Sequence, residues 1–478
     1  MSFLGFFIIF LLWGFISLFY DPLVFPGPFE TFNALFSLFT EKNFWLNYLS
    51  TITKTFTGLG ISLIIGIPLG LISGLHKKAD KLIRPFVMVI QGAPVISYIV
   101  IAMMWFGLGF YTPVFVSVLV ILPAIIFNIS TGISNTDSKL IEMAKIYRVD
   151  EKKIYKYIYF PSILPFIIST IKIISGSLWR SVVVGEFLSG SKGLGYGISL
   201  AKTTLNTEYV FAYTVFLIIT GTIFEKTILK ITYSPKFKFK DSNSETNVSA
   251  EKNNAFLDVK NLSKKFDKVI IKNINFNIKK GQSVSLIGES GCGKTTILKI
   301  LSGIIKDYTG TVENTFKRIS YIFQDDRLIP WLNVSDNIKF VNPYLSENAI
   351  KNVLDTFGIK DSYDKYPFEL SGGMLKRACI ARAVLYNPDL IIMDEALASV
   401  DLKNKNKIIS TLRTMHKENN FAIINVSHNP AEIAKISETL IFIEGSPATV
   451  SEIKTFQSLD LRNEKTEEKI LSEILNSF

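Results

Sequence analysis

The chain has 478 residues, a formal net charge of +11 at pH 7 and a hydrophobic content of 48%. That length predicts two large domains or about three ordinary ones. The hydrophobic content excludes a disordered basic tail, and the presence of only two cysteines, Cys292 and Cys379, excludes a disulfide framework. Residues 1–230 hold only 18 Lys and Arg and 11 Asp and Glu. A weakly charged half followed by an ordinary charged half predicts a membrane domain joined to a soluble one.

Six apolar segments are long enough to cross the roughly 30 Å of bilayer hydrocarbon as helices. They lie near residues 3–20, 54–75, 85–106, 112–132, 163–184 and 208–229. The first segment lacks the basic start and the small-residue cleavage site of a signal peptide, so we interpret it as a retained helix. A buried bundle in a soluble core would also give apolar runs. Six runs with alternating loop charge favour an all-α transmembrane domain of six helices.

Lys and Arg are concentrated after the second, fourth and sixth apolar runs. By the positive-inside rule these segments and both termini are expected on the cytoplasmic side. The net positive charge therefore indicates membrane topology, and we predict no nucleic-acid partner. Lys172 and Arg180 lie inside the fifth run, where a charged group either marks a pathway or snorkels from near a helix end.

Residues 233–254 are polar, rich in Ser, Asn and Lys, and lack apolar periodicity, which predicts a linker. It would join the transmembrane domain, 1–232, to an α/β domain over 255–450. Residues 451–478 are predicted to form a charged helical tail.

In the α/β domain, the predicted strand Ser283–Ile287 runs directly into a loop of the pattern G-x-x-x-x-G-K-T. Its glycines let backbone N–H groups curl around phosphate, and the following helix adds the partial positive charge of its N-terminus. Lys294 would contact the β- and γ-phosphates of a nucleotide, and Thr295 would bind Mg²⁺. The predicted nucleotide-binding residues are Gly288, Glu289, Ser290, Gly291, Cys292, Gly293, Lys294, Thr295 and Thr296.

A phosphate-binding loop alone also occurs in kinases and GTPases, so the motifs after it decide the class. Residues 370–373 (LSGG) precede an apolar-periodic helix, whose N-terminus again suits an anion. The apolar strand over 390–394 ends in two adjacent carboxylates, Asp394 and Glu395. In this order the motifs resemble the ATP-binding cassette (ABC) superfamily of ATPases.

This resemblance implies a set of catalytic roles. Asp394 would hold Mg²⁺ through water, and Glu395 would polarise the attacking water as general base. His428 would contact the γ-phosphate. Gln324 would link the nucleotide site to the membrane domain and would join Thr295 and Asp394 at Mg²⁺. The implied catalytic residues are therefore Glu395, His428 and Gln324.

The same resemblance implies an ATP site shared between two subunits. Ser371, Gly372 and Gly373 would contact the γ-phosphate of the ATP held by the opposite subunit. Asp401 would lie in the loop that meets the partner across the dimer. Phe266 stands where family members place an aromatic ring over adenine, although its position also suits a core phenylalanine.

The cytoplasmic stretch after the fourth apolar run carries a second resemblance. Glu142, Ala144 and Pro161 match the EAA loop of binding-protein-dependent importer permeases at the right spacing, although Arg148 occupies that pattern's glycine position. In that family the loop forms short coupling helices that dock on the ATPase. A basic amphipathic helix lying on lipid is the alternative.

The two resemblances together cover nearly the whole chain. They imply an ABC importer subunit of the nitrate, sulfonate and taurine type, with permease and ATPase fused, which uses ATP and Mg²⁺ in the cytoplasmic membrane. The implied partners are a second copy of the chain, a separate extracytoplasmic solute-binding protein and the lipid bilayer. An exporter, or a membrane ATPase with a mechanical or regulatory role, is the alternative, and the EAA-like loop argues against both.

Overall fold

The computed structural model describes residues 2–231, 255–398, 400–456 and 464–475. The predicted linker, 233–254, lies outside the described residues. The chain forms two compact units, one of Met1–Thr136 with Tyr159–Pro235 and one of Asp137–Ile158 with Lys236–Phe478. The short stretch 137–158, which interrupts the apolar half of the sequence, therefore belongs to the same unit as the α/β domain.

The first half of the chain is helical, as predicted. Its helices are α1 (Ser2–Ser17), α2 (Pro28–Thr40), α3 (Lys42–Leu75), α4 (Lys77–Gly92), α5 (Val95–Phe106), α6 (Tyr111–Ser134), α7 (Ser138–Ile146), α8 (Glu151–Ile154), α9 (Phe160–Ser189), α10 (Leu194–Thr203) and α11 (Thr207–Ile231). A π-helical turn, Tyr155–Tyr159, leads from α8 into α9. Helices α7 and α8 belong to the second unit.

Four helical segments among the described residues are long and apolar enough to cross a membrane, and a bent pair would make a fifth. They are α3, α6, the run Glu151–Ser189 and α11, with α4 and α5 as the bent pair. The predicted third span, 85–106, is wrong as one continuous helix, because the chain bends by 97° at Gly92-Ala93-Pro94. Proline disfavours helical geometry in the residue before it, so the break falls there. The predicted first span is a helix of 16 residues, α1, so the prediction of six full-length spans was too high.

Small residues on α3 allow it to pack closely against α6. A Cβ atom added to Gly66, Gly70 or Gly74 would lie 2.7–2.8 Å from an isoleucine side chain of α6. Close approach through regularly spaced glycines is the usual way in which membrane helices associate, because the hydrophobic effect does not drive them together in lipid. The isoleucines that fill this contact are Ile125, Ile129 and Ile133.

A buried ion pair joins α3 to α9 in the first unit. Lys54 Nζ donates to Glu186 Oε1 at 2.8 Å, and the two side chains are only 2% and 0% exposed. Thr51 Oγ1 and the backbone N–H of Gly195 donate to the other carboxylate oxygen, at 2.8 and 3.1 Å. The N–H of Leu194 donates in turn to Thr51 Oγ1 at 2.9 Å. The carboxylate therefore fixes the start of α10 as well as the contact between two long helices.

The second unit has the predicted α/β architecture. Its elements are β1 (Phe256–Lys265), β2 (Val269–Lys279), β3 (Ser283–Ile287), α12 (Lys294–Leu301), β4 (Thr309–Asn314), β5 (Ile319–Ile322), α13 (Val334–Val341), α14 (Glu347–Thr356), α15 (Gly372–Leu385), β6 (Leu390–Asp394), α16 (Leu402–Asn419), β7 (Ala422–Val426), α17 (Pro430–Ile436), β8 (Thr439–Glu444), β9 (Thr449–Thr455) and α18 (Glu464–Leu475).

Two sheets organise these elements. An antiparallel sheet has the order β2-β1-β4, and a six-stranded sheet has the order β5-β6-β7-β3-β8-β9. All neighbours in the larger sheet are parallel except β8 and β9. Strands β3, β6 and β7 are buried along their whole length, as expected for a parallel sheet covered on both faces. The carboxyl ends of parallel strands meet at one edge, where such sheets bind ligands.

The predicted helical tail, 451–478, was wrong at its start. Residues 451–455 complete β9, which pairs antiparallel with β8, because Val450 and Ile453 provide apolar positions suited to an edge strand. Helix α18 follows, and its Ile470 and Ile474 are buried in an apolar cluster with residues of α17 and β8.

The Lys54–Glu186 pair predicts a large loss of stability when one partner is removed. Glu186→Ala should lower the unfolding free energy of the full chain in detergent by about 3–5 kcal/mol, because it leaves the Lys54 ammonium buried without a carboxylate. A double Lys54→Met, Glu186→Met variant should recover much of that loss, since neither charge remains. Thermal unfolding measures both. Arg84→Ala, which breaks the half-exposed Arg84–Asp80 pair, is the control and should have little effect. Equal losses in Glu186→Ala and the control would contradict the prediction.

Candidate active site

The phosphate-binding loop, residues 288–293, connects the end of β3 to α12. Gly291 and Gly293 have φ angles of +82° and +104°, in the left-handed region that favours glycine. A Cβ atom at Gly288 would lie 2.3 Å from the carbonyl oxygen of Ile443. The backbone path of the loop therefore depends on glycine at these three positions.

The loop forms one wall of a cavity of about 700 Å³. Its lining includes Gly288, Glu289, Ser290, Gly291 and Cys292 from the loop and residues 442–446, which form the end of β8 and the turn after it. Lys294 Nζ donates to the carbonyl oxygens of Gly288 and Glu289, each at 2.7 Å, so the ammonium lies within the curve of the loop. Thr295 and Thr296 follow it in the first turn of α12. Five of the predicted phosphate contacts, Gly288 to Cys292, therefore line one concave surface.

Asp394, the last residue of β6, lies beside the phosphate-binding loop. Thr295 Oγ1 donates to its Oδ1 at 3.2 Å, and the hydroxyl of Tyr321 donates to its Oδ2 at 3.0 Å. Burial raises the pKa of Asp394, and the hydrogen bonds from Tyr321 and Thr295 oppose that rise. A hydroxyl and a carboxylate side by side are suitable oxygen ligands for Mg²⁺, which takes its other ligands from phosphates and water. The residues present therefore fit the predicted ion.

Glu395 lies between the two other residues predicted to be catalytic. Gln324 Nε2 donates to Glu395 Oε2 at 2.9 Å, and His428 Nε2 lies 3.0 Å from Oε1. The backbone at Glu395 has a φ of +47°, which is uncommon outside glycine, and its N–H donates to the carbonyl oxygen of Val426 at 2.8 Å. Strain of this kind is typical of functional positions that their surroundings hold in place.

The LSGG segment lies at the N-terminus of α15. Ser371 Oγ accepts a hydrogen bond from the N–H of Met374 at 3.4 Å, and Gly372 and Gly373 have open space where side chains would lie. Within the residues that the structure describes, no hydrogen bond joins Ser371, Gly372 or Gly373 to the phosphate-binding loop. Ser371 and Gly372 are exposed at this helix N-terminus.

Asp401 and Phe266 are both exposed. Asp401 caps α16 by accepting hydrogen bonds from the N–H and Nδ2 of Asn404, at 3.1 and 2.7 Å, and these bonds lower the pKa of its carboxyl group. The Phe266 side chain is 54% exposed, with Lys264 Nζ 4.7 Å from its ring centre. The exposure contradicts the alternative of a core phenylalanine.

Helix α7, which carries Glu142 and Ala144, is packed against the segment after β5. Arg327 Nη1 donates to Glu142 Oε2 at 2.9 Å, and Lys139 Nζ lies 2.6 Å from Asp325 Oδ2. Ala144 is completely buried. These contacts are incompatible with α7 lying on lipid, the alternative considered for this segment. Pro161, the third residue of the EAA-like pattern, is buried in α9 of the first unit.

The turn after α7 inserts a tyrosine into the α/β domain. The buried Tyr147 donates its hydroxyl to the carbonyl oxygen of Tyr321 at 3.3 Å, and Tyr386 donates to the carbonyl oxygen of Tyr147 at 3.0 Å. Further along, Trp331 Nε1 donates to the carbonyl oxygen of Tyr157 at 2.7 Å. Arg148 has a φ of +50°, so it adopts the left-handed turn that the family's glycine would make.

Sequence reasoning missed several residues that organise this region. Tyr147 had no motif to mark it. Tyr321 and Arg327 lie in the stretches on either side of Gln324, but their contacts could not be predicted, since their partners are distant in sequence. Lys376 is a further example, because its Nζ donates to the carbonyl oxygens of Phe323 and Gln324 at 3.1 and 2.8 Å. It ties α15, the helix after LSGG, to the segment that carries Gln324. The signal that the sequence offered for Lys376 was the presence of a lysine within a helix of apolar periodicity.

Two protein-family models match the chain. Residues 66–225 match the binding-protein-dependent transport system inner membrane component, and residues 271–398 match the ABC transporter. An aliphatic sulfonates import ATP-binding protein of Agrobacterium fabrum is 31% identical over 235 residues, which cover 47% of this chain and 91% of that protein. A protein of the same description from Paracoccus denitrificans is 36% identical over 188 residues, 39% of this chain and 78% of the relative.

A third relative has a different description. The spermidine/putrescine import ATP-binding protein of Spiroplasma citri is 34% identical over 219 residues, which cover 41% of this chain and 62% of that protein. All three relatives are described as ATP-binding proteins, whereas the membrane half is matched by its own family model. The predictions of a fused permease and ATPase, and of an importer in preference to an exporter or a regulatory ATPase, are confirmed. The chain belongs to the ABC transporter family, as a membrane importer subunit that joins a binding-protein-dependent permease component and an ATP-hydrolysing cassette in one polypeptide.

Proposed function

We propose that ATP hydrolysis between the phosphate-binding loop and Glu395 drives import of a small organic anion, of the sulfonate type, through the permease half. The observation that carries the chemical part is the placement of the Glu395 carboxylate between Gln324 and His428, next to the Thr295–Asp394 pair. The solute class follows the descriptions of the Agrobacterium and Paracoccus relatives. A polyamine, as in the Spiroplasma relative, is the second candidate.

The residues divide the chemistry of hydrolysis among them. Lys294 and the loop N–H groups would bind the phosphates, and Thr295, Asp394 and Gln324 would hold Mg²⁺, which neutralises phosphate charge when bound. Glu395 orients the attacking water and accepts its proton. His428 Nε2 lies 3.0 Å from the Glu395 carboxylate and would help to position it beside the γ-phosphate.

We further propose that α7 transmits the state of the nucleotide site to the permease. Its ion pairs with Asp325 and Arg327 lie directly after Gln324, and Tyr147 contacts the backbone of Tyr321, whose hydroxyl holds Asp394. Movement of β5 or of the Gln324 segment on ATP binding would therefore displace α7. Alternating access of the permease would follow from the rigid-body motion of such elements.

The assembly and orientation that this function requires are also proposals. Two copies of the chain would pair, since Ser371–Gly373 of one copy can complete the phosphate site of another. The Lys/Arg-rich loops would face the cytoplasm, which puts both termini and the ATPase there. Solute would be delivered by a separate extracytoplasmic binding protein.

Glu395→Gln should keep ATP binding and slow hydrolysis by roughly 10²–10⁴-fold, because the amide cannot accept the proton of the attacking water. Phosphate release from purified full-length protein measures hydrolysis, and a fluorescent ATP analogue measures binding. Glu418→Gln, an isosteric change at an exposed position of α16, is the matched control and should leave both unchanged. Near wild-type turnover in Glu395→Gln would remove Glu395 from the proposed role.

Tyr321→Phe should weaken Mg²⁺ binding at Asp394, although Tyr321 is not one of the predicted site residues. It removes one hydrogen bond to Asp394, and that bond lowers the pKa of the carboxyl group. The pKa of Asp394 should therefore rise, and the acid limb of the ATPase pH profile should move to higher pH. The Mg²⁺ concentration for half-maximal activity should increase about tenfold, since a hydrogen bond to a charged group contributes about 1.5 kcal/mol or more.

The control for Tyr321 is Tyr344→Phe, a change at an exposed tyrosine of the same unit. It should alter neither the pH profile nor the Mg²⁺ dependence. If Tyr321→Phe lowers the rate at every pH and Mg²⁺ concentration by the same factor, the residue acts through general stability and not through Asp394.

Mixing two inactive variants tests the shared site. Lys294→Ala and Ser371→Arg chains should each hydrolyse little ATP as homodimers. In mixed dimers, one of the two sites combines an intact phosphate-binding loop with an intact LSGG segment, so partial activity should return. The measurement is ATPase activity of co-expressed chains carrying different affinity tags. Full activity of an isolated monomer would contradict the shared site.

A further inference from the structure

One charged side chain of the permease half has no evident role in the ATPase chemistry. Arg180 lies in α9, inside a membrane-crossing segment, and its side chain is exposed on the surface of the first unit. A guanidinium facing lipid at this depth is unfavourable, and such groups generally face a water-filled pathway or a polar partner. The Arg180 guanidinium therefore needs a polar or anionic partner that the described residues of the first unit do not supply.

The contacts of Arg180 leave most of its hydrogen-bonding capacity unused. Its Nε donates to the carbonyl oxygen of Gly176 at 3.1 Å, which turns the side chain back along α9. Among the described residues Arg180 forms no ion pair within 4.0 Å. By contrast, the buried Lys54 in the same unit is fully paired with Glu186. The terminal nitrogens of Arg180 thus remain available as a planar fork of donors.

A cavity of about 510 Å³ opens beside this guanidinium, between α9 and α11. Its lining includes Gly176, Trp179, Arg180, Gly221, Thr222 and Glu225. The absence of side chains at the two glycines keeps it open, since a Cβ at Gly221 would lie 3.0 Å from the Trp179 ring. Its volume lies within the range of small-molecule sites.

Trp179, which also lines this cavity, carries an unpaired polar atom. The side chain is only 6% exposed, and within the described part of the chain its Nε1 has no hydrogen-bond acceptor. Buried indole N–H groups are normally paired, and an unpaired one needs an explanation. Trp179 and Arg180 line the same cavity, but only Arg180 presents donors to it, because the Trp179 indole N–H is buried beneath the surface.

We propose that this cavity is a recognition site for the acidic group of the transported solute, and that it takes a small organic monoanion with an apolar body, such as an alkanesulfonate. The proposal rests on the import function proposed above and specifies its solute class. Arg180 would bind two oxygens of the acidic group, and the Trp179 ring forms part of the cavity wall. Glu225 also lines the cavity and would repel a dianion more strongly than a monoanion, and the apolar lining suits an alkyl chain.

The test is binding of 1-butanesulfonate to the full-length chain, without ATP, in nanodiscs of phosphatidylcholine. Isothermal titration calorimetry should show saturable binding, with affinity reduced at least tenfold in Arg180→Gln. Arg180→Lys should retain part of the affinity, because an ammonium keeps the charge and loses the two-pronged geometry. Lys172→Gln, on an exposed position of the same helix outside the cavity lining, is the matched control and should bind like wild type. Butylammonium should not compete.

Several outcomes would overturn the proposal. Equal affinity in wild type and Arg180→Gln, or no binding by wild type, rules out the site. Dissociation of Arg180→Gln dimers on size-exclusion chromatography would make Arg180 an interface residue. Added phosphatidylglycerol tests for a lipid occupant. If it displaces butanesulfonate from the wild type, and if this displacement requires Arg180, the occupant is a lipid headgroup. Since binding is measured without ATP, its failure is distinguishable from a failure of the Glu395 chemistry.

Discussion

The burial of the Asp394 carboxylate at the end of β6 is the constraint on which the cassette depends. A buried charge is costly unless hydrogen bonds satisfy it. Tyr321 on the neighbouring strand and Thr295 at the start of α12 provide those bonds. Satisfying one carboxylate therefore fixes three elements relative to each other, and Glu395, the next residue, is carried into contact with Gln324 and His428.

Strand β5, whose Tyr321 binds Asp394, also contacts the inserted segment 137–158. The Tyr321 hydroxyl donates to Asp394 and its carbonyl oxygen accepts from Tyr147, so one residue contacts both the end of β6 and the turn after α7. Arg327 adds a second connection, through its ion pair with Glu142 and its position over the Phe323 ring. These are continuous physical contacts between two elements, which is the minimum that coupling requires.

The sequence allowed the cassette to be predicted better than its surroundings. Gly291, Lys294 and Asp394 could be identified because phosphate and Mg²⁺ chemistry restricts residue type and spacing. Tyr321 could not be identified, because any residue of suitable size satisfies the strand pattern at that position. Its partner, Asp394, is 73 residues away in the sequence. The break at Pro94 was missed because hydropathy is the same for straight and bent helices. At Arg148 the sequence lacks the glycine that favours a left-handed turn, yet the backbone adopts that turn.

Among the described residues, some cations away from bulk water are paired with a carboxylate and others are not. Lys54 and Glu186 satisfy each other, so their role is to hold α3, α9 and α10 together. Lys294 contacts only the carbonyl oxygens of its own loop and, at 3.9 Å, a thiol sulfur. Arg180 contacts a single carbonyl oxygen. A cation without a carboxylate is unfavourable away from water, so an external anion at Lys294 or Arg180 would contribute to binding. Phosphate is the anion proposed for the loop at Lys294, and an acidic solute is the anion proposed for the cavity at Arg180.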